Sequence, residues 1–235
     1  MNVGANKMMW LQYYGKSCFC FYDDNCGILI NPDLSQTSLD YVLLNKNKID
    51  LILLTKYSKK MFADALLLLN ETDAKVLCGQ GMVDLLVNNG IERHRIESVY
   101  VGQFYGHFGN KILIKFIPSI SNSNLPGTLA LGAVIDLNGV KIYYDGYTAY
   151  YSDLKLLKEY NIDYALISMG QWTSKDVPEV FRALQDIKPK YFIPMQYHEI
   201  EKDYVTAFRD TLLKQNELHV VPIVLDPCSR IIIKQ

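Results

Sequence analysis

Asp50-Leu51-Ile52-Leu53-Leu54-Thr55-Lys56-Tyr57-Ser58-Lys59-Lys60-Met61 is the stretch on which the fold turns. Leu51 to Leu54 is a continuous apolar run of strand length, as a strand buried on both faces requires. The run breaks at Thr55 into a short polar turn. Phe62-Ala63-Asp64-Ala65-Leu66-Leu67-Leu68-Leu69 then follows as a helical pattern. Strand, turn and helix in that order form an α/β unit. Such units place their chemistry at the carboxyl end of the strand, where side chains and backbone donors converge.

The pattern repeats in both directions. Before this stretch, Met8–Gln12, Ser17–Tyr22 and Gly27–Ile30 read as strands, with a hairpin turn at Asp23-Asp24-Asn25 and a helical segment at Leu39–Leu44. After it, Lys75–Cys78 is a strand, and Gly79-Gln80-Gly81 opens a helix that runs to Asn89 and stops at Gly90. Strands are predicted at Val99–Gln103, Lys111–Ile117, Leu131–Leu137 and Val140–Tyr144, the last two joined through Asn138-Gly139. Tyr164–Ser168, a helix over Val177–Ile187, the strand that opens at Tyr191, a helix over Asp203–Gln215, and short strands at His219–Val221 and Ile231–Ile233 complete the chain. Strands and helices alternate throughout, which predicts the α/β class. Residues 1–235 are expected to form one domain of two halves, split near Asn124. Their sheets are expected to stack face to face with helices outside, a four-layer αββα sandwich.

Composition narrows the function. A formal charge of −1 over 235 residues gives no bulk electrostatic reason to bind nucleic acid or an anionic membrane. The longest apolar runs, such as Ala65–Leu69, are far shorter than a membrane span. Met1–Lys7 lacks a charged-then-apolar signal pattern, so the cytoplasm is the expected compartment. The five cysteines form no C-x-x-C pair, which predicts buried free thiols, not a disulfide framework or zinc ribbon. His94, His107, His198 and His219 are scattered, with no pair at ligand spacing. Gly79-x-Gly81 lacks a third glycine and reads as a turn. No Gly-x-Ser-x-Gly elbow is present.

A set of short motifs carries a resemblance. In order they are Gly15-Lys16-Ser17-Cys18-Phe19, Asn31-Pro32, Leu54-Thr55, Pro118-Ser119-Ile120-Ser121, Gly132, Gly146-Tyr147-Thr148, Ser152-Asp153 and Pro194-Met195-Gln196-Tyr197. Their order and spacing, over Met9 to Arg209, resemble the metallo-β-lactamase superfamily. The subgroup is that of ascorbate-6-phosphate lactonase-like proteins and uncharacterised metal-dependent hydrolases. The resemblance implies an αββα fold of that type and metal-assisted hydrolysis. The family's metal-ligand positions fall here on Lys56, Ser58, Lys60, Met61, Ser121, Tyr147 and Gln196, and Lys16 takes a further histidine position. None of the seven is a normal ligand for zinc, manganese or iron, and two are cations.

The expectation is therefore a pseudoenzyme of that fold, with no metal and no other cofactor. Lys16, Lys56, Ser58, Lys60, Met61, Ser121, Tyr147 and Gln196 would line a former metal pocket. Clustered ammonium groups there would be offset by a small anionic ligand. A protein partner or a homo-oligomer is the other expected association. The plainer reading has the lysines in water or paired with Asp33 or Asp145. An active hydrolase is the alternative, through a metal relocated to Asp145 and His198 or through a metal-free lysine–tyrosine site.

Overall fold

The computed structural model describes residues 8–44, 46–107, 109, 111–121, 125, 129–169, 177–197, 202–215 and 218–234. It divides into two compact units, Met1–Ser98 with Asp226–Lys234, and Val99–Leu225 with Gln235. The sequence boundary at Ser98/Val99 lies earlier than the split expected near Asn124, which itself is outside the described residues. The reason is pairing: the strands between Phe104 and Pro222 join the second sheet, and the chain returns to the first only at Arg230.

The first unit holds a seven-stranded sheet built from β1 (Met9–Gly15), β2 (Cys18–Tyr22), β3 (Gly27–Ile30), β4 (Leu51–Leu54), β5 (Lys75–Gly79), β6 (Ile96–Val99) and a late strand, β14 (Arg230–Ile233). Its order is β14-β1-β2-β3-β4-β5-β6. β1, β2 and β3 pair antiparallel, whereas β3, β4 and β5 run parallel. Every residue of β4 is buried, as its unbroken apolar run requires. Three helices, α1 (Leu39–Leu43), α2 (Lys59–Glu71) and α3 (Val83–Asn88), make the crossovers. α2 buries Met61, Phe62, Ala65, Leu68 and Leu69, the stripe of a helix that covers a sheet. Its carboxyl end is held from a distance. The Arg95 guanidinium donates to the carbonyls of Leu69, Thr72 and Ala74 at 2.8–3.1 Å, satisfying acceptors that a helix end leaves open.

The second unit holds β7 (Phe104–His107), β8 (Ile112–Pro118), β9 (Leu131–Leu137), β10 (Val140–Tyr144), β11 (Tyr164–Ser168), β12 (Tyr191–Met195) and β13 (Val221–Pro222). The sheet order is β13-β12-β11-β10-β9-β8-β7. β7 to β10 pair antiparallel and β10 to β13 parallel. The β9–β10 hairpin turns on Asn138 (φ 50°) and Gly139 (φ 91°), both left-handed as a two-residue type I′ turn demands. Residues 100–103, expected in a strand with Val99, form a turn instead, between β6 and β7. α4 (Val177–Ile187) and α5 (Lys202–Gln215) follow β11 and β12. Val180, Ala183, Leu184 and Ile187 of α4 share one core with Phe192 and with Val205, Phe208 and Leu212 of α5.

Strand direction fixes where functional residues gather. In the first unit β1, β3, β4 and β5 run the same way, so their carboxyl ends emerge at one edge. In the second unit the same holds for β8, β10, β11 and β12. No helix among the described residues is long and apolar enough to cross a membrane.

Candidate functional site

At the carboxyl edge of the first sheet, Lys16 follows β1, Asn31 to Asp33 follow β3, and Thr55 to Ser58 follow β4. Asn31 is left-handed (φ 46°), and its amide joins two strand ends. Its Oδ1 accepts from the Thr55 N–H at 2.8 Å, and its Nδ2 donates to Thr55 Oγ1 at 2.7 Å. Lys16 Nζ lies 3.2 Å from Asp33 Oδ2, one of the pairings raised by the sequence. Burial opposes ionisation of Asp33, but the hydroxyl and N–H of Ser35 and the Lys16 ammonium outweigh it and hold the carboxyl below its ordinary range.

The helix after the turn brings a second pair. Lys60 Nζ lies 2.7 Å from Asp64 Oδ1, one turn on, and Asp64 Oδ2 accepts from the Leu34 N–H at 2.8 Å. The i,i+4 spacing of Lys60 and Asp64 is the signal in the sequence for this pair. Met61 is buried with the core-facing side of α2. Ser58 is the N-cap of α2 but makes no side-chain capping hydrogen bond, and the first turn holds Lys59 and Lys60 with no acidic residue. Lys56 is half-buried in the turn.

At the carboxyl edge of the second sheet, Ser121 follows β8, Asp145 to Thr148 follow β10, and Gln196 follows β12. Asp145 is buried, and its carboxylate is an acceptor for the loop. The Tyr147 N–H donates to Oδ1 at 2.8 Å, and the Ser168 N–H and Oγ donate to Oδ2 at 2.8 and 2.7 Å. Ser119 Oγ donates to the Gly146 carbonyl, and the Ile120 N–H donates to Thr148 Oγ1, which ties the β8 and β10 loops together. Gly146 has φ 63°, and a Cβ there would sit 2.0 Å from the Leu131 carbonyl oxygen, so only glycine fits. Tyr147 (φ 68°) and Gln196 (φ 62°) are both left-handed, a costly conformation for a tyrosine. Gln196 Oε1 is buried and has no hydrogen-bond partner among the described residues. Backbone strain and an orphaned acceptor of this kind concentrate at functional sites.

Comparison with known proteins finds similar chains and the same fold. The chain is 27% identical over 197 residues to a UPF0173 metal-dependent hydrolase of Thermus thermophilus, covering 81% of this chain and 84% of the relative. It is 29% identical over 199 residues to another from Thermoplasma acidophilum, covering 83% and 84%. No family model matches. Igni18, a metallo hydrolase from the archaeon Ignicoccus hospitalis, superposes with a TM-score of 0.84 at 21% identity, over 97% of this chain and 99% of that one. YhfI of Bacillus subtilis, a metallo-β-lactamase fold protein, gives 0.76 at 10% identity over 97% and 100%. The chain has the metallo-β-lactamase fold.

In the metallo-β-lactamase fold a metal is the family's expectation, and the donor set can be tested for it. Among the described residues no group of three or more His, Cys, Asp or Glu side chains is placed to hold a metal ion. Asp33 and Asp64 each face a lysine, and both oxygens of Asp145 accept from backbone N–H groups. The described residues at these edges do not fit a hydrolytic metal centre. His198, the fallback ligand named with Asp145, lies outside the described residues.

Proposed function

We propose that this protein keeps the metallo-β-lactamase fold without its metal-dependent hydrolysis and works as a pseudoenzyme that binds a small anionic ligand. The observation that carries this reading is the reversed charge of the strand-end turns. A metal centre presents carboxylates and imidazoles. Here the carboxylates of Asp33, Asp64 and Asp145 are engaged with lysines and backbone amides. Lys56 and Lys59 lie at the amino end of α2, whose cap position lacks a side-chain bond, and Lys60 follows in its first turn, paired with Asp64. Backbone N–H groups and the helix dipole at such an end favour an anion. Ser58 on the same turn supplies a further donor.

Two measurements test the reading. Elemental analysis of protein purified without chelators or a histidine tag should find far less than one metal per chain. About one equivalent of zinc, manganese or iron per chain would overturn it and restore the hydrolase alternative. Inorganic phosphate should raise the melting temperature, and Lys56→Ala combined with Lys60→Ala should abolish that rise. An unchanged rise in the double variant would remove the anion site.

A further inference from the structure

Away from the strand-end turns, α4 and α5 face each other across a cavity of about 550 Å³, within the size range of small-molecule sites. Among the described residues its lining is Val177 and two matched stripes. α4 contributes Pro178, Phe181, Arg182 and Gln185, and α5 contributes Tyr204, Ala207, Phe208 and Thr211. Each set is spaced i, i+3, i+4, i+7, the spacing of a single helix face. The opposite stripes, such as Val180, Ala183, Leu184 and Ile187 of α4, are used up in the core. Phe208 belongs to both the core and this lining, while Pro178, Arg182, Gln185, Tyr204, Ala207 and Thr211 are exposed, so the feature is a surface groove between the helices, floored by the core.

The polarity of the cavity is graded. α4 links β11 to β12, and α5 links β12 to β13, all three strands parallel. Helices in such crossovers run antiparallel to the strands, so α4 and α5 run in the same sense. Their amino halves bring together Val177, Pro178, Phe181 and Tyr204. Arg182 stands at the middle of α4, and Gln185 and Thr211 lie in the carboxyl halves. Arg182 makes no ion pair within 4.0 Å among the described residues. Lys16, Lys48, Lys60, Lys190 and Arg209 each have one. Two acids flank it along its own helix, Glu179 at i−3 and Asp186 at i+4, and Asp186 accepts from the Tyr150 hydroxyl at 2.7 Å.

We infer that this cavity is a binding site for an amphipathic monocarboxylate, an unbranched or aromatic apolar body with one carboxylate. The apolar body fills the Pro178–Phe181–Tyr204–Phe208 end, and the carboxylate meets the Arg182 guanidinium, with Gln185 and Thr211 as further donors. The charge complementarity at Arg182 selects a carboxylate over a neutral chain.

Isothermal titration with decanoate and with decanol tests it. The native protein should bind decanoate saturably at one per chain and decanol more weakly. Arg182→Gln should weaken decanoate about fivefold to tenfold and leave decanol unchanged, the loss of one charge-assisted contact. Ala207→Trp, at an exposed position that fills the cavity, should abolish binding of both while the circular dichroism spectrum stays native. The inference is overturned by absence of saturable decanoate binding, by equal decanoate affinity in the native protein and Arg182→Gln, or by a folded Ala207→Trp that still binds. A concentration-dependent dimer that Ala207→Trp disrupts, without decanoate binding, would assign the face to a second copy instead.

Discussion

Asp145 shows how much one side chain can decide. Both of its oxygens accept from backbone N–H groups, one from Tyr147 and one from Ser168. An amide in its place must aim its NH2 at one of those donors, whichever way it is turned. Asp145→Asn should therefore cost about 2–4 kcal/mol, the penalty of buried donors left facing a donor. A urea midpoint within error of the native value would show that the carboxylate is not needed there. Lys16 and Asp33 give a pH signature. The Asp33 carboxyl is held low in the folded state, so its contribution is complete above the unfolded carboxyl value of about 3.9 and is lost as pH falls through the lower folded value. Lys16→Met should thus destabilise the protein at pH 7, and the difference from native should shrink as pH falls below the unfolded carboxyl value of about 3.9. A difference that stays constant with pH would mean Lys16 acts only by packing. This pairing was legible in the sequence as one of two partners for the lysine. The threefold grip of Arg95 was not, because its carbonyl partners lie 21, 23 and 26 residues away and backbone acceptors leave no mark in a residue string.

Among the elements, α2 carries the clearest test. Its first turn holds two lysines at the positive end of the helix dipole, an unfavourable arrangement without an anion. Lys59→Glu should raise stability by about 0.5 kcal/mol in phosphate-free buffer, and should reduce the stabilisation that phosphate gives. Stabilisation without any change in the phosphate response would leave the helix end as ordinary surface. The elements themselves were mostly legible. α4 falls at the predicted Val177–Ile187 because its apolar spacing is regular, and the β9–β10 turn because Asn-Gly fits two left-handed residues. β7 was missed because half of its residues are exposed and Gly106 interrupts the pattern. The order of strands in each sheet was not legible from periodicity. The family resemblance supplied the fold type; of the positions it named, Lys56, Ser121, Tyr147 and Gln196 follow strands, whereas Lys60 and Met61 lie in α2.

At the scale of the whole molecule the sequence sorted its cysteines in a way that only the chain's division exposes. All five belong to the first unit, Cys228 through the segment that returns to pair with β1. Cys18, Cys20, Cys26 and Cys78 are buried, and burial pushes the Cys18 and Cys78 thiols up to about 12. A thiol that is both shielded and protonated does not react with a disulfide reagent until the surrounding strands part. The chain thus contains a clock for one half of itself. Only Cys228, which is half-buried, should exchange quickly with Ellman's reagent at neutral pH, and the other four should follow at the rate at which the first sheet opens. Rapid modification of all five in native buffer would contradict the burial of β2 and β5. In mild denaturant, comparing thiol exchange with loss of total circular dichroism would time the first sheet against the second, a separation that a probe spread over both halves cannot make.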